Sequence, residues 1–150
     1  MMVTSLLEEK GHLLADMDCT DWETLVDLLA APLIADGSVE PQFAESAKAA
    51  VRQFGGYVVL IEDIAFFHGR PEDGVNRLAM SFGFLREPIY LQEKRIKSAF
   101  LFAAVDNDSH RELLQSLAGF MNDDACLDIL RNGRDLDAIL KKCKEMEAVQ

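Results

Sequence analysis

The spacing of apolar positions divides the chain into helical and extended segments. Apolar residues recur every three or four positions in 22–33, 43–54 and 113–120, and this spacing predicts amphipathic helices. Two further helices are predicted, one around 127–130 and one from about Asp135 onward. The chain is therefore expected to contain at least five helices.

Capping residues, prolines and glycines mark the ends of these helices. Thr20 and Ser109 each open an S/T-x-x-E sequence, which is typical of a helix start. Pro32 is expected to kink or end the first helix, and Gly55 to end the second. The short helix at 127–130 is expected to end at 132–133.

Continuous apolar runs predict the strands between the helices. Five runs qualify, at 57–61, 64–67, 78–85, 88–91 and 96–105. The last is almost wholly apolar, as in a central strand covered on both faces. A further run at 12–17 is either a first strand or a lead-in. We predict one α/β domain over 1–150, a three-layer α/β/α sandwich around a mixed five-stranded sheet.

Composition narrows the possible partners. The chain has 150 residues and a formal net charge of -11, with no basic tract. A surface of this sign repels phosphate backbones, so nucleic acid is not an expected partner. The acidity fits either a basic protein partner or solubility alone.

Cysteine usage points to a reducing compartment. Cys19, Cys126 and Cys143 are odd in number and widely spaced, so they form neither a disulfide framework nor a zinc site. The N-terminus lacks a signal-peptide pattern, and no run approaches the roughly 18 apolar residues of a membrane span. A cytoplasmic location is expected.

Two of the three histidines occupy positions where ligands gather in α/β proteins. His68 ends a predicted strand, and His110 lies in the first turn of the helix after the central strand. Each also has an ordinary structural explanation: His68 can be a polar residue that ends a strand, and His110 a polar residue that starts a helix. Together, without a carboxylate cluster, they favour phosphoryl chemistry, because neutral imidazole is a nucleophile near pH 7. His12 has no such context and is interpreted as a surface residue.

Other catalytic patterns are missing. The chain contains no G-x-S-x-G, no H-E-x-x-H and no glycine-rich phosphate loop. The acidic pairs at 72–73 and 123–124 are interpreted as solvated turns and caps. Neither a metal site nor a cofactor is predicted.

Two longer segments resemble a known family. The run YVVLIEDIAFFHGRPEDGV (57–75) and the run SHRELLQSLAGFMNDD (109–124) look like the enzyme IIA domain of the bacterial phosphoenolpyruvate-dependent sugar phosphotransferase system. Within that group they resemble the mannitol/fructose type and, most closely, its ascorbate-specific branch. The similarity extends from about Trp22 to Leu140.

The resemblance implies roles for particular residues. His68 matches the histidine that takes a phosphoryl group from phospho-HPr and passes it to a cysteine of enzyme IIB, and His110 matches the second active-site histidine. Arg52, sixteen residues before His68, and Glu62, six before it, fall on an arginine and an acidic position of the mannitol branch. Their ordinary explanations are a helix C-terminal arginine and a strand-edge acid.

The start of the helix that carries His110 completes the implied site. The backbone N–H groups at 109–111, with Ser109 and Arg111, would bind the phosphoryl oxygens. Glu62 would orient the far imidazole nitrogen of His68 or a neighbouring cation. The donor in this scheme is a protein, which fits the lack of a glycine-rich nucleotide loop.

One residue departs from the family pattern. The family usually has proline directly before the histidine, whereas this chain has Phe67. We therefore keep three hypotheses: a phosphocarrier for an ascorbate-like sugar, a regulatory protein that binds partners according to its phosphorylation state, and a structural domain. The implied partners are HPr, enzyme IIB and, through enzyme IIB, a membrane permease. The sugar and a homodimeric state stay open.

Overall fold

The computed structural model describes residues 2–9, 12–132 and 135–149. Within them the chain forms six α-helices and four strands. The helices are Met2–Leu7 (α1), Trp22–Ala35 (α2), Gln42–Phe54 (α3), Asn107–Met121 (α4), Asp124–Asn132 (α5) and Leu136–Val149 (α6). The strands are Leu13–Met17 (β1), Asp63–His68 (β2), Ala79–Leu91 (β3) and Lys94–Ala103 (β4).

The four strands form one open mixed sheet in the order β1-β3-β4-β2. β3 and β4 pair antiparallel as a hairpin, and the edge strands β1 and β2 run parallel to β3 and β4 respectively. The predicted α/β class and mixed sheet are confirmed. The prediction of five strands is wrong, since the described residues form four.

The strand count differs for two reasons. Residues 78–85 and 88–91 belong to one long strand, β3. The apolar run 57–61 does not enter the sheet, because Gly55 ends α3 with a φ of +64° and a 3₁₀ turn, Gly55–Val58, follows at once. The segment 12–17 supplies the fourth strand, β1.

Buried side chains form two clusters on opposite faces of the sheet. Neighbouring residues of β2 alternate between them: Ala65 and Phe67 pack in one cluster, Ile64 and Phe66 in the other. The first cluster includes the apolar stripes of α2 and α3, and the second those of α1, α4, α5 and α6. His68, two residues after Phe66, therefore lies on the face covered by α4.

The helix starts differ from the predicted caps by one and three residues. Asp21, not Thr20, caps α2, and Asp106, not Ser109, caps α4. Asp106 and Ser109 form a reciprocal capping box in which Ser109 is the third helical residue. Pro32 lies within α2, which continues to Ala35. The predicted helix end at Gly133 lies outside the described residues.

His12 is buried, so the prediction that it is a surface residue is wrong. Its Nε2 lies 2.7 Å from Asp36 and its Nδ1 lies 3.2 Å from the Leu6 carbonyl. Arg77 pairs with Asp36 and with Glu9 in the same cluster. One ligand atom each from Glu9, His12 and Asp36 lie within 4.8 Å of one another. Arg77 pairs with both carboxylates, so the cluster forms an ion-pair network that ties the N-terminal segment to the end of α2.

Among the residues with described coordinates, no helix combines the length and apolar character that a membrane crossing requires.

Candidate functional site

The register of the sheet places His68 at the edge where two parallel strands end. β2 runs parallel to β4, and His68 is the partner of Phe102 near the end of β4. β4 ends at Ala103, and α4 begins at Asn107. This short connection brings His110, in the first turn of α4, over the same edge.

Three aromatic rings meet there. The ring centres of His68 and His110 are 5.3 Å apart, with 54° between the ring planes. His68 also stacks on Phe102, with ring centres 5.1 Å apart, and Phe102 lies 5.6 Å from His110. Two histidine rings at this separation leave room for one phosphoryl-sized group to contact both.

The two ring nitrogens of His68 have different environments. Nδ1 is buried and has no hydrogen-bond partner of good geometry among the residues that the structure describes. The Phe66 carbonyl is still near enough to raise the pKa of His68. Nε2 has no hydrogen bond within the described part of the chain and, unlike Nδ1, is not buried. A proton on Nδ1, directed at the Phe66 carbonyl, leaves the Nε2 lone pair free at the surface.

Both imidazoles favour their neutral form. Burial lowers the pKa of His68, and the neighbouring His110 lowers it further, outweighing the effect of the Phe66 carbonyl. Burial also lowers the pKa of His110. At neutral pH the pair is uncharged, and the exposed nitrogen of His68 is a competent nucleophile.

The histidines lie at the wall of a cavity of about 490 Å³. Its lining is mostly apolar and comes from α3, the segment after α3, β2, β4 and α4: Ala50, Phe54, Tyr57, Val58, Leu60, Ile61, Phe66, His68, Phe102, His110, Leu114, Leu117, Ala118, Met121 and Asn122. At its rim the side chains of Tyr57 and Leu60 are 74% and 73% exposed. Exposed apolar groups around a concave surface are typical of a protein contact.

Phe67 and His68 lie on opposite faces of β2. It pairs with Leu101 in the sheet and is fully buried in the cluster beneath α2 and α3. Its side chain therefore points away from His68, which lies on the opposite face. At this position, where the resemblance implies a proline, the chain has a core residue.

The start of α4 is not an open anion site. The Asp106 carboxylate accepts the Ser109 N–H at 2.8 Å, and the Asp106 carbonyl accepts the His110 N–H at 3.1 Å. The Ser109 hydroxyl also bonds to the Asp106 backbone. Arg111 is exposed and pairs with Asp108. The backbone donors that were predicted to bind phosphoryl oxygens at 109 and 110 are already occupied.

Arg52 is on α3 but not at the cavity. Its guanidinium donates to Glu23 at 3.0 Å and lies 5.8 Å from the centre of the Trp22 ring. It does not line the cavity that contains the histidines. Both contacts are with the start of α2, so in this structure Arg52 joins two helices.

Glu62 lies at the opposite end of β2 from His68. It is 78% exposed and lies 3.9 Å from Arg95. Six residues of strand correspond to roughly 20 Å, which no side-chain hydrogen bond spans. Of the two contacts that the resemblance implies, the one with the imidazole of His68 is not made, and the cation beside Glu62 is Arg95.

The sequence did not draw attention to Ser46, which contacts the loop after His68. Its hydroxyl donates to Asp73 at 2.7 Å and accepts the Arg70 N–H at 3.0 Å. A side chain on Gly69 would place its Cβ 2.9 Å from this hydroxyl oxygen. The only hint in the sequence is that Ser46, Ala50 and Phe54 share one face of α3.

Comparison with known sequences identifies a family. Residues 6–146 match the phosphoenolpyruvate-dependent sugar phosphotransferase system EIIA 2 family. The chain is 28% identical, over 144 residues, to the ascorbate-specific PTS system EIIA component of Salmonella choleraesuis (strain SC-B67). That match covers 93% of this chain and 94% of the relative.

Solved structures of similar fold agree with the sequence match. A crystal structure assigned as a PTS IIA (PtxA) from Streptococcus mutans has a TM-score of 0.87 and 25% identity, covering 96% of this chain and 94% of its own. Enzyme IIAMTL of Escherichia coli, in its complex with phosphorylated enzyme IIBMTL, has a TM-score of 0.79 and 18% identity. The coverage there is 91% of this chain and 96% of that one. The second likeness concerns the fold alone.

Proposed function

Because the chain belongs to the EIIA 2 family of the phosphoenolpyruvate-dependent sugar phosphotransferase system, we propose that it is a phosphocarrier whose phosphorylated residue is His68. The donor is an HPr-like phosphoprotein. The acceptor is a cysteine of an enzyme IIB, which in turn serves a membrane permease. The similarity to ascorbate-specific components favours an ascorbate-like sugar.

The observation that carries this proposal is the relation between the two histidines at the cavity. Their ring centres are 5.3 Å apart, and Nε2 of His68 reaches solvent while its Nδ1 is buried. An acceptor of a phosphoryl group needs one accessible unprotonated nitrogen and a second group that stabilises the phosphoryl oxygens. His68 and His110 supply these two functions.

The chemical step needs positioning more than covalent activation. The Nε2 lone pair of His68 attacks the phosphorus of the donor phosphohistidine. A new N–P bond forms as the donor's N–P bond breaks, and the donor imidazole regains its lone pair. In the onward step a thiolate of enzyme IIB attacks the same phosphorus, and the N–P bond at His68 breaks. His110 donates a hydrogen bond to a phosphoryl oxygen in both steps.

The surface around the cavity supports a protein as the reaction partner. Tyr57 and Leu60 expose apolar side chains at the rim, and Phe54 is 56% exposed beside them. The lining offers a sugar few hydrogen-bond partners, whereas a protein loop can bury apolar residues there. The net charge of -11 favours encounter with a basic donor surface.

The regulatory hypothesis rested on Phe67 and stays the alternative, while the buried position of this side chain supports the phosphocarrier. Phe67 is buried away from the histidine pair and leaves Nε2 of His68 accessible. The cytoplasmic location expected from the sequence remains a prediction. A homodimer also remains open.

Reconstitution of the transfer chain tests the proposal. Purified protein is incubated with phosphoenolpyruvate, enzyme I and HPr, and phosphate on the protein is measured before and after addition of enzyme IIB. We expect an acid-labile, base-stable phosphate on wild type, its loss on addition of enzyme IIB, and no label on His68→Ala. Equal labelling of His68→Ala and wild type would refute the assignment of His68.

A further inference from the structure

The loop that follows His68 is fastened to α3 by a single hydroxyl group. The Ser46 hydroxyl donates to the Asp73 carboxylate at 2.7 Å and accepts the Arg70 N–H at 3.0 Å. The Asp73 N–H in turn donates to the Arg70 carbonyl at 3.0 Å, which closes a turn. Ser46 thus bonds to both ends of the turn that begins two residues after His68.

Packing at the same point leaves little freedom. Gly69 approaches α3 so closely that an added Cβ would lie 2.9 Å from Ser46 Oγ and 3.0 Å from the Phe43 ring. The chain therefore leaves β2 in direct contact with α3. A shift of Ser46 or of the turn would be transmitted to the backbone of His68 through one intervening residue.

The geometry points to Ser46 as a positioning residue for His68, because it fixes the 69–73 loop on α3 and so holds the imidazole against His110 and Phe102. This inference rests on the proposed function, since the positioned group is the phosphoryl acceptor. Ser46 itself does not line the cavity and does not touch the reacting atoms.

The Ser46 contact matters because phosphoryl transfer is sensitive to small displacements of the His68 imidazole. The imidazole of His68 stacks on Phe102 and approaches His110, while its Nδ1 lacks a hydrogen bond of good geometry within the described residues. No side-chain hydrogen bond therefore orients the ring directly. A displacement of about 1 Å is enough to lower a transfer rate up to 100-fold.

The test compares variants that keep or remove the Ser46–Asp73 bond. Ser46→Ala and Asp73→Ala are each expected to slow phosphoryl transfer from phospho-HPr about tenfold. Asp73→Asn keeps an oxygen acceptor and should stay within threefold of wild type. The double variant Ser46→Ala/Asp73→Ala should be no slower than about the slower single variant, because both substitutions remove the Ser46–Asp73 bond.

Ser38→Ala is the matched control. The Ser38 hydroxyl also donates to a carboxylate, that of Asp36 at 2.6 Å, and Ser38 is fully buried. Its loss should lower thermal stability while transfer by the folded protein stays within twofold of wild type. If Ser46→Ala does not fold, the comparison of Asp73→Asn with Asp73→Ala decides the question.

A second readout does not depend on transfer. In NMR titrations, Ser46→Ala should move the titration midpoint of His68 upward toward the ordinary histidine value, because a loosened loop admits water to the ring. Ser38→Ala should leave it unchanged. An unchanged His68 midpoint in Ser46→Ala, or transfer within twofold of wild type in both alanine variants, would overturn the inference. A wild type that accepts no phosphate would instead refute the proposed function, and the titration would still decide the role of Ser46.

Discussion

His68 and His110 are 42 positions apart in the sequence, yet their ring centres lie 5.3 Å from each other at one edge of the sheet. β2 ends at His68, and α4 turns back over that edge to bring His110 beside it. The pair shares Phe102 as a common aromatic neighbour. The site therefore depends on the register of β2 against β4 as much as on the identity of the two histidines.

The first prediction concerns His110. His110→Ala removes both a group that can bind a phosphoryl oxygen and a neighbour that lowers the pKa of His68. We expect transfer to His68 to fall about 100-fold to 1,000-fold, by comparison with the loss of a single oxyanion donor. The pKa of His68 should rise toward about 6.5, because no imidazolium can form at position 110 to oppose its protonation and the ring is less buried. Stopped-flow transfer and NMR titration measure the two effects.

Arg111→Ala is the control for this substitution. Arg111 neighbours His110 in sequence, is exposed and pairs with Asp108. Transfer by this variant should stay within twofold of wild type. An equal loss in Arg111→Ala and His110→Ala would contradict a specific role for His110.

The second prediction concerns pH. Because the folded-state pKa values of His68 and His110 are lowered, the unfolded chain takes up protons first as the pH falls. The stability that these histidines contribute is fully present above about pH 6.5 and is lost as the pH falls through their folded-state pKa values. Denaturant unfolding at pH 7.5, 6.5 and 5.5 measures the change.

A double variant isolates this effect. His68→Gln/His110→Gln should lose less free energy of unfolding than wild type over the same pH range. The transfer rate of wild type should hold at pH 6.5 and fall only below it. A wild type whose pH dependence of stability matches that of the double variant would show that neither pKa is lowered.

The third prediction concerns Phe67. Its ring is fully buried, and Phe67→Ala should lower the free energy of unfolding by about 3–5 kcal/mol. Phe54→Ala provides the contrast, because Phe54 is 56% exposed and its loss should change stability by no more than about 0.5 kcal/mol. Urea denaturation followed by circular dichroism compares the two. Similar losses in both variants would contradict the assignment of Phe67 to the core.

The sequence was sufficient to predict features of the fold and the site that depend on the local pattern of residues. The apolar run before His68 predicted a strand end there, and the capping signal beside His110 predicted a helix start. Strand ends and helix starts meet at one edge of an α/β sheet, so the two histidines were expected to lie together. The run 57–61 was wrongly predicted to be a strand, because the β-branched and apolar residues of a strand cannot be told from exposed apolar residues by sequence alone. The exposure of Tyr57 and Leu60 becomes visible only in the folded structure, where this run lies outside the sheet.

Contacts between residues far apart in the sequence could not be predicted from the local apolar and polar pattern. His12 is buried because Asp36 and the Leu6 carbonyl bond to its ring. Ser46 has no signal of its own, since its partner Asp73 is 27 residues away. The family resemblance placed Glu62 with His68, but the strand between the two residues keeps them apart.

The fourth prediction concerns Arg52. Since its guanidinium pairs with Glu23 and lies beside Trp22 rather than at the cavity, Arg52→Ala should change the transfer rate by no more than about threefold. Its exposed ion pair should contribute less than about 1 kcal/mol to stability. A loss of transfer as large as that of His110→Ala would show that Arg52 moves to the histidines during the reaction.

The most direct test of the central claim is to locate the phosphoryl group on the phosphorylated protein. Two-dimensional ¹H–¹⁵N NMR of the imidazoles distinguishes the three histidines and the two nitrogens of each ring. Phosphorylation at Nε2 of His68 is the predicted result, since this nitrogen reaches solvent and Nδ1 does not. Phosphate on Nδ1 of His68, on His110 or on His12 would contradict the account.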